Sequence, residues 1–317
     1  MSSAAIEATD RIPAAGERAL VLGGGGSTGN AWLIGTIAGL FDGGLDPTLA
    51  NLVIGTSAGS TAAAQIAGAT PAELFAATLA APSRQGARQQ GPSQHRTTPG
   101  GTGNGRPPVS LVNEHMERTS KIIAAAADAA DMRHRMGAAA LELAAASGES
   151  VLARWRATVA SRLPRQDWPQ RTLLITAVNA LNGQPVVFDR QSGVDLADAV
   201  AASCSSGFAY RIGDNSYIDG GYRRNENADL AAGYRRVLVL SPFGGRTRTP
   251  LDWGMQLAAQ VDELRASGST VVTIFPDSAS EHMFGANAMD PSLRPPAARA
   301  GFEQGRALAG QLCEFWR

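Results

Sequence analysis

Two apolar runs, each cut short by small residues and followed at once by a helical pattern, restrict this chain more than any other feature. Ala19-Leu20-Val21-Leu22 has no polar position, which marks a strand covered on both faces, and it ends in Gly23-Gly24-Gly25-Gly26. From Asn30 to Phe41 the period becomes helical, with Trp32, Leu33, Ile37 and Leu40 on one side and Gly43-Gly44 as the stop. Leu52-Val53-Ile54 repeats the strand, Gly55 to Gly59 the tight turn, and Ser60 to Ala69 the helix, closed by Gly68 and Pro71. Successive strand–helix units carry the chain back over the sheet each time, so the strands run parallel and the class is α/β.

The rest of the chain extends that plan. A length of 317 residues suits one α/β domain, and we read residues 16–317 as that single domain after a flexible start at 1–15. Ser83 to Pro108 is Gln, Gly, Ser, Thr, Pro and Arg with almost nothing apolar to bury, so a mobile insertion is expected at 83–108, either a plain surface excursion or a flap over a site. Leu111 to Leu163 reads as two or three Ala-rich helices with Ile122, Ile123, Met132, Met136, Leu141 and Leu143 inward and the methionines as core filler. Thr172–Asn179 and Gln184–Phe188 flank Asn182-Gly183, a hairpin signal. Further strands are expected at Ser216–Ile218, Val237–Leu240 and Val271–Phe275, with helices near Leu196, Met255 and Gly301.

Charge narrows the function classes. Acidic and basic residues balance at 28 each, so no large field draws the protein to nucleic acid, and no nucleic-acid partner is expected. Cys204 and Cys313 lack metal-ligand spacing and read as small buried residues in a reducing compartment. The segment before Val21 holds no apolar stretch fit for a signal peptide or a span, so a cytoplasmic location is expected and any contact with lipid would be peripheral.

Three short motifs carry the chemistry. Gly55-Thr56-Ser57-Ala58-Gly59 places a serine on a sharp turn between strand and helix, where its hydroxyl projects over the sheet as a nucleophile. Gly23-Gly24-Gly25-Gly26-Ser27-Thr28-Gly29 lies between the first strand and its helix, where backbone N–H groups converge and the dipole favours an anion. That loop could serve a dinucleotide, but the second strand ends in Gly55-Thr56-Ser57 rather than in a ribose-binding acid, and no Lys follows the glycines. An oxyanion hole built on Gly24, Gly25 and Gly26 suits the neighbouring serine better. The third motif, Ser216-Tyr217-Ile218-Asp219-Gly220-Gly221, is by itself a turn; beside the other two it offers a candidate base, Asp219.

Taken in order, Gly24-Gly25-Gly26-Ser27-Thr28-Gly29, Gly55-Thr56-Ser57-Ala58-Gly59 and Asp219-Gly220-Gly221 resemble the patatin-like phospholipase family over residues 18–245. Ala201-Ala202-Ser203-Cys204 and Val237-Leu238-Val239-Leu240-Ser241-Pro242 extend the likeness. The resemblance implies a three-layer α/β/α sandwich with a mostly parallel sheet, a Ser57–Asp219 dyad, hydrolysis of a lipid or small acyl ester, and motif support from Gly29, Gly55, Gly59, Gly220 and Gly221. It calls for no metal and no organic cofactor. The family often carries Lys or Arg where this chain has Thr28; the backbone donors do not depend on that cation, but a phospholipid head group loses a partner. A carboxylate near its ordinary pKa of about 3.9 is a weak base, so the dyad needs burial around Asp219 or a strong oxyanion hole.

Rival readings remain open at this level. The order Ser57, Asp219, His282 is that of a common hydrolase triad, with His282 in Ser280-Glu281-His282-Met283-Phe284-Gly285. His95 falls in the expected insertion, and His115 and His134 on charged helical stretches where exposure is the default. The same acyl-enzyme could pass its acyl group to an alcohol or amine, making the chain an acyltransferase, and a dinucleotide-binding protein is the reading from another class.

Overall fold

The computed structural model describes residues 16–80, 109–147 and 149–317; the expected flexible start at 1–15 and the insertion at 83–108, with His95, lie outside them. The strands are β1 Gly16–Leu22, β2 Leu52–Gly55, β3 Thr172–Asn179, β4 Pro185–Phe188, β5 Tyr210–Ile212, β6 Asn215–Asp219, β7 Tyr234–Leu240 and β8 Thr270–Ile274. The helices are α1 Gly26–Asp42, α2 Ala58–Ile66, α3 Pro71–Ala80, α4 Val109–Ala125, α5 Ala129–Ser147, α6 Glu149–Ala160, α7 Leu196–Ser203, α8 Leu257–Ala266 and α9 Arg294–Trp316. All strands join one sheet in which β3, β2, β1, β7 and β8 run parallel, β4 and β6 run antiparallel to β3, and β5 pairs antiparallel with β6.

The apolar run of β1 is covered on both faces, as its composition demands. Leu20 and Leu22 face a core that includes Val53, Ile175, Leu238, Leu240, Trp32 and Ile37. Ala19 and Val21 face the opposite core, with Leu52, Ile54, Val237, Val239 and the α8 residues Leu257, Val261 and Leu264. Helices on both faces of a mostly parallel sheet make the three-layer α/β/α sandwich. The many small residues have a packing reason: at Gly35 and Gly39 of α1 a side chain would strike the backbone of Ala298 and Phe302 on α9, so these helices touch almost backbone to backbone. Gly310, also on α9, has open space around it and no such duty. Gly310→Ala is therefore expected to stabilise by about 0.5–1 kcal/mol, the ordinary helix-interior cost of glycine, read as a higher melting temperature in calorimetry.

Helix boundaries differ from the sequence reading at functional turns. The first helix starts at Gly26 rather than Asn30, and the second at Ala58 rather than Ser60, because short loops let the helices begin inside the motifs. The short edge strand β5 and helix α3 were not anticipated. Yet α3 carries a signal: Thr70 and Glu73 cap each other, with Thr70 N–H to Glu73 Oε2 at 2.9 Å and Glu73 N–H to Thr70 Oγ1 at 3.3 Å, and Pro71 opens the first turn. Met132 and Met136 are buried against Val178, Ile218 and Met255, as expected of core filler.

Candidate active site

The sheet brings two distant turns face to face. On β3, Ile175 pairs with Gly55 of β2 and Phe188 of β4, while Ala177 pairs with Val186 of β4 and Asp219 of β6. A strand has two edges, so β2 and β6 share one of them. Parallel β2 and antiparallel β6 thus run toward each other and stop two β3 positions apart, at Gly55 and Asp219. Ser57 sits just past one end and Asp219 at the other.

Ser57 has φ 53° and ψ −116°, a conformation costly for a residue with a side chain, which the surroundings hold in place. Its N–H donates to Ser203 Oγ at 2.9 Å. Its carbonyl accepts from Ser60 Oγ at 2.6 Å, the Cys204 thiol at 3.1 Å, and the N–H groups of Ser60 and Thr61 at 2.9 and 3.2 Å. Cys204 is half-buried rather than fully buried and is a donor behind the elbow; desolvation with the nearby Asp219 pushes its thiol up to about 11, so it stays a thiol. A side chain at Gly59 would overlap the Leu22 carbonyl oxygen; glycine there lets α2 start directly against β1. Gly55 lies against Ser60 in the same way.

The Ser57 hydroxyl donates to Asp219 Oδ2 at 2.7 Å. Asp219 Oδ1 accepts the Gly221 N–H at 2.8 Å, and Gly220 packs on Thr176, where no larger residue fits. Burial pushes the Asp219 carboxyl from its ordinary 3.8 up to about 6, against the opposing pull of the Ser57 and Gly221 hydrogen bonds. It is ionised at neutral pH and far more basic than an exposed aspartate.

The glycine loop approaches the serine from β1, and a side chain at Gly24 would lie 3.6 Å from Ser57 Cβ. Gly24 does not serve as the donor anticipated for it, because its N–H is already given to Asn225 O at 3.0 Å. The N–H groups of Gly25 and Gly26 stand at the start of α1, where no helical carbonyl can take them. Gly29 closes the turn through its N–H to Gly25 O at 3.0 Å. Thr28 N–H is held by Ala288 O at 3.0 Å and so is not free for a pyrophosphate, and a side chain at Gly26 would meet Ala288 and Met289.

Two residues that sequence reasoning passed over support the loop. Glu226, buried, accepts from Asn225 Nδ2 at 2.8 Å and from Ser241 Oγ at 2.7 Å, while Asn225 Nδ2 also reaches Gly24 O at 3.3 Å. Only the proximity of Asn225 and Glu226 to the Asp-Gly-Gly motif hinted at this. A cavity of about 240 Å³ opens beside Asp219, lined by Ile123, Met132, Met136, Tyr222, Phe243 and Met255 among others. Met132 and Met136 therefore wall the cavity in addition to filling the core. His115 lines it too and is half-buried, contrary to the exposure expected of it, because α4 lies along the cavity. His134 is exposed.

His282 does not complete a triad. It is exposed, its Nδ1 is 2.9 Å from Ala279 O, and no described histidine hydrogen-bonds Ser57 or Asp219. Among the described residues no cluster fit to hold a metal ion is present, and no helix is long and apolar enough to cross a membrane.

Comparison with known proteins identifies a family. No match was found among curated proteins. Two solved structures are similar to the chain at low scores: VipD from Legionella pneumophila, at 15% identity and TM-score 0.41, and the type III effector protein ExoU, at 14% and 0.37. The alignments cover 94% and 93% of this chain but 67% and 53% of those, and such scores carry no argument about activity. The model of one family, described as patatin-like phospholipase, matches residues 20–232, from β1 past the Asp219 turn. Since that match takes in more than half of the sequence, the chain belongs to the patatin-like phospholipase family.

Proposed function

We propose that the protein is a serine acyl hydrolase of lipid or small acyl esters that works through a Ser57–Asp219 dyad. The observation that carries this reading is the 2.7 Å hydrogen bond from a strained, half-buried serine to a buried carboxylate of raised pKa. As Ser57 Oγ attacks the ester carbonyl, Asp219 takes its proton and the N–H groups of Gly25 and Gly26 receive the oxyanion. Collapse of the tetrahedral intermediate breaks the bond to the alcohol, which leaves with the proton from Asp219. Water then gives a proton to Asp219 and attacks the acyl-serine; Ser57 recovers its proton as the acid departs.

The test is initial-rate hydrolysis of 4-nitrophenyl esters of increasing chain length, with Ser57→Ala and His282→Ala measured beside the parent. Ser57→Ala is expected to lose turnover to background and His282→Ala to keep most of it; a dead, folded His282→Ala would restore the triad. Acyl transfer would show as faster alcohol release with an added nucleophile and an acylated product in place of free acid. The pH profile gives a second check. With Asp219 at about 6, kcat/KM should level off above that pH and fall about tenfold per unit below it as the base is protonated. A midpoint near 4 would mean that the base is exposed.

A further inference from the structure

The cavity beside Asp219 has an apolar side and a cationic side. Ile123, Met132, Met136 and Met255 line one part, and Arg246 and Arg248, from the loop after β7, line another. Asp219 is the one carboxylate among its described lining residues, and its charge is engaged with Ser57 and Gly221.

The two arginines keep their charge, unlike several others among the described residues. Arg135, Arg156, Arg223, Arg224 and Arg236 each meet a carboxylate. Arg248 instead donates to neutral oxygens on α4: Thr119 Oγ1 at 2.9 Å, Met116 O at 3.0 Å and Ser120 Oγ at 2.7 Å. These bonds fix its position without cancelling its charge. Arg246 is anchored through Nε to Phe243 O at 3.1 Å, and neither arginine has an ion pair among the described residues. Arg118 adds a third cation behind His115, with Nη2 at 3.5 Å from His115 Nδ1. Burial first, and then Arg118 and Arg248, hold His115 below its usual pKa, so it faces the cavity neutral and able to hydrogen-bond. In a chain whose acids and bases balance at 28 each, this mouth is locally positive.

We infer that Arg246 and Arg248 form a subsite for an anionic group, phosphate or carboxylate, on the ester that Ser57 attacks. The substrate is then an amphiphile, with its apolar part against the methionine side and its anion at the arginines. This rests on the hydrolase reading above, and it supplies from the β7 loop the cation that Thr28 does not. Charge-assisted hydrogen bonds from a positioned guanidinium are strong enough for a preference of about tenfold or more over a neutral isostere.

Two readouts separate this inference from the reading beneath it. For turnover, mono-4-nitrophenyl glutarate is compared with 4-nitrophenyl valerate, and dioleoyl phosphatidylglycerol with dioleoyl phosphatidylcholine in mixed micelles. For binding without turnover, Ser57→Ala is titrated calorimetrically with dodecyl phosphate and dodecylphosphocholine. The parent should favour the anionic member of a pair at least tenfold in kcat/KM, Ser57→Ala should bind dodecyl phosphate tighter, Arg246→Gln should collapse the ratio, and Arg246→Lys should keep much of it. Preference in the micelle pair alone identifies a lipid head group, and in the soluble pair alone a small acid. Equal treatment of anionic and net-neutral probes, or a ratio untouched in Arg246→Gln and Arg248→Gln, overturns the subsite. Arginine-dependent binding of dodecyl phosphate without hydrolysis of any ester would uphold the subsite and sink the hydrolase reading; loss of both would sink both.

Discussion

Asp219→Asn should lose about 10²–10⁴-fold in turnover and yet melt at a higher temperature than the parent at pH 8. Both effects come from the same burial. The carboxyl binds its proton more tightly in the folded protein, at about 6, than in the unfolded chain, near 3.8. Ionised Asp219 therefore costs stability at every pH above about 6, on the order of 3 kcal/mol, and the cost vanishes as the pH falls toward 4. Asparagine keeps an acceptor for the Gly221 N–H and a partner for the Ser57 hydroxyl while removing the charge. The gain in melting temperature should be several degrees at pH 8 and absent at pH 4, as followed by circular dichroism at both values. A variant less stable than the parent at pH 8 would show that the ionised dyad stabilises the fold, and the proposed origin of the base strength would fall.

Gly59→Ala should cost at least about 3 kcal/mol and abolish hydrolysis in whatever folded protein remains. The added methyl would overlap the Leu22 carbonyl oxygen, which cannot retreat because it accepts the Thr56 N–H at 3.1 Å. Relief requires α2 to move off β1, and α2 begins at Ala58, immediately after the nucleophile. Urea unfolding with a parallel 4-nitrophenyl ester assay measures both consequences. A stable and active Gly59→Ala would mean that the turn accommodates a side chain and that Ser57 is held less rigidly than its hydrogen bonds imply.

The sequence disclosed Ser57 more readily than its surroundings, for physical reasons. Ser57 is legible because the strand, the small turn and the helix that force its position are contiguous with it. Asp219 stands 162 residues away, and its motif alone is a turn; the company of the other motifs singled it out. Asn225 and Glu226 were hinted at only by their nearness to the Asp-Gly-Gly motif, since their roles come from Gly24 and Ser241, neighbours in space and not in the chain. Gly24 was misjudged for the same reason: a backbone partner from another loop had already taken its N–H. His115 was misplaced because charged flanks describe a helix in water, while α4 lies along the cavity. Helix α3 is legible in the sequence through its Thr70–Glu73 capping box, a local signal.

The meeting of β2 and β6 on one edge of β3 also bears on how such a protein can diverge. Spacing between Ser57 and Asp219 is measured along β3, from Ile175 to Ala177, and not along the chain that connects them. Segments entering and leaving that strand can lengthen, shorten or change character without stretching the dyad, provided the pairing of β3 holds. Helices α4 and α5, which wall the cavity, belong to such a segment between β2 and β3. Selection can therefore rework what is recognised while the bond-breaking apparatus stays fixed, and a family built this way can explore many esters from one inherited chemistry.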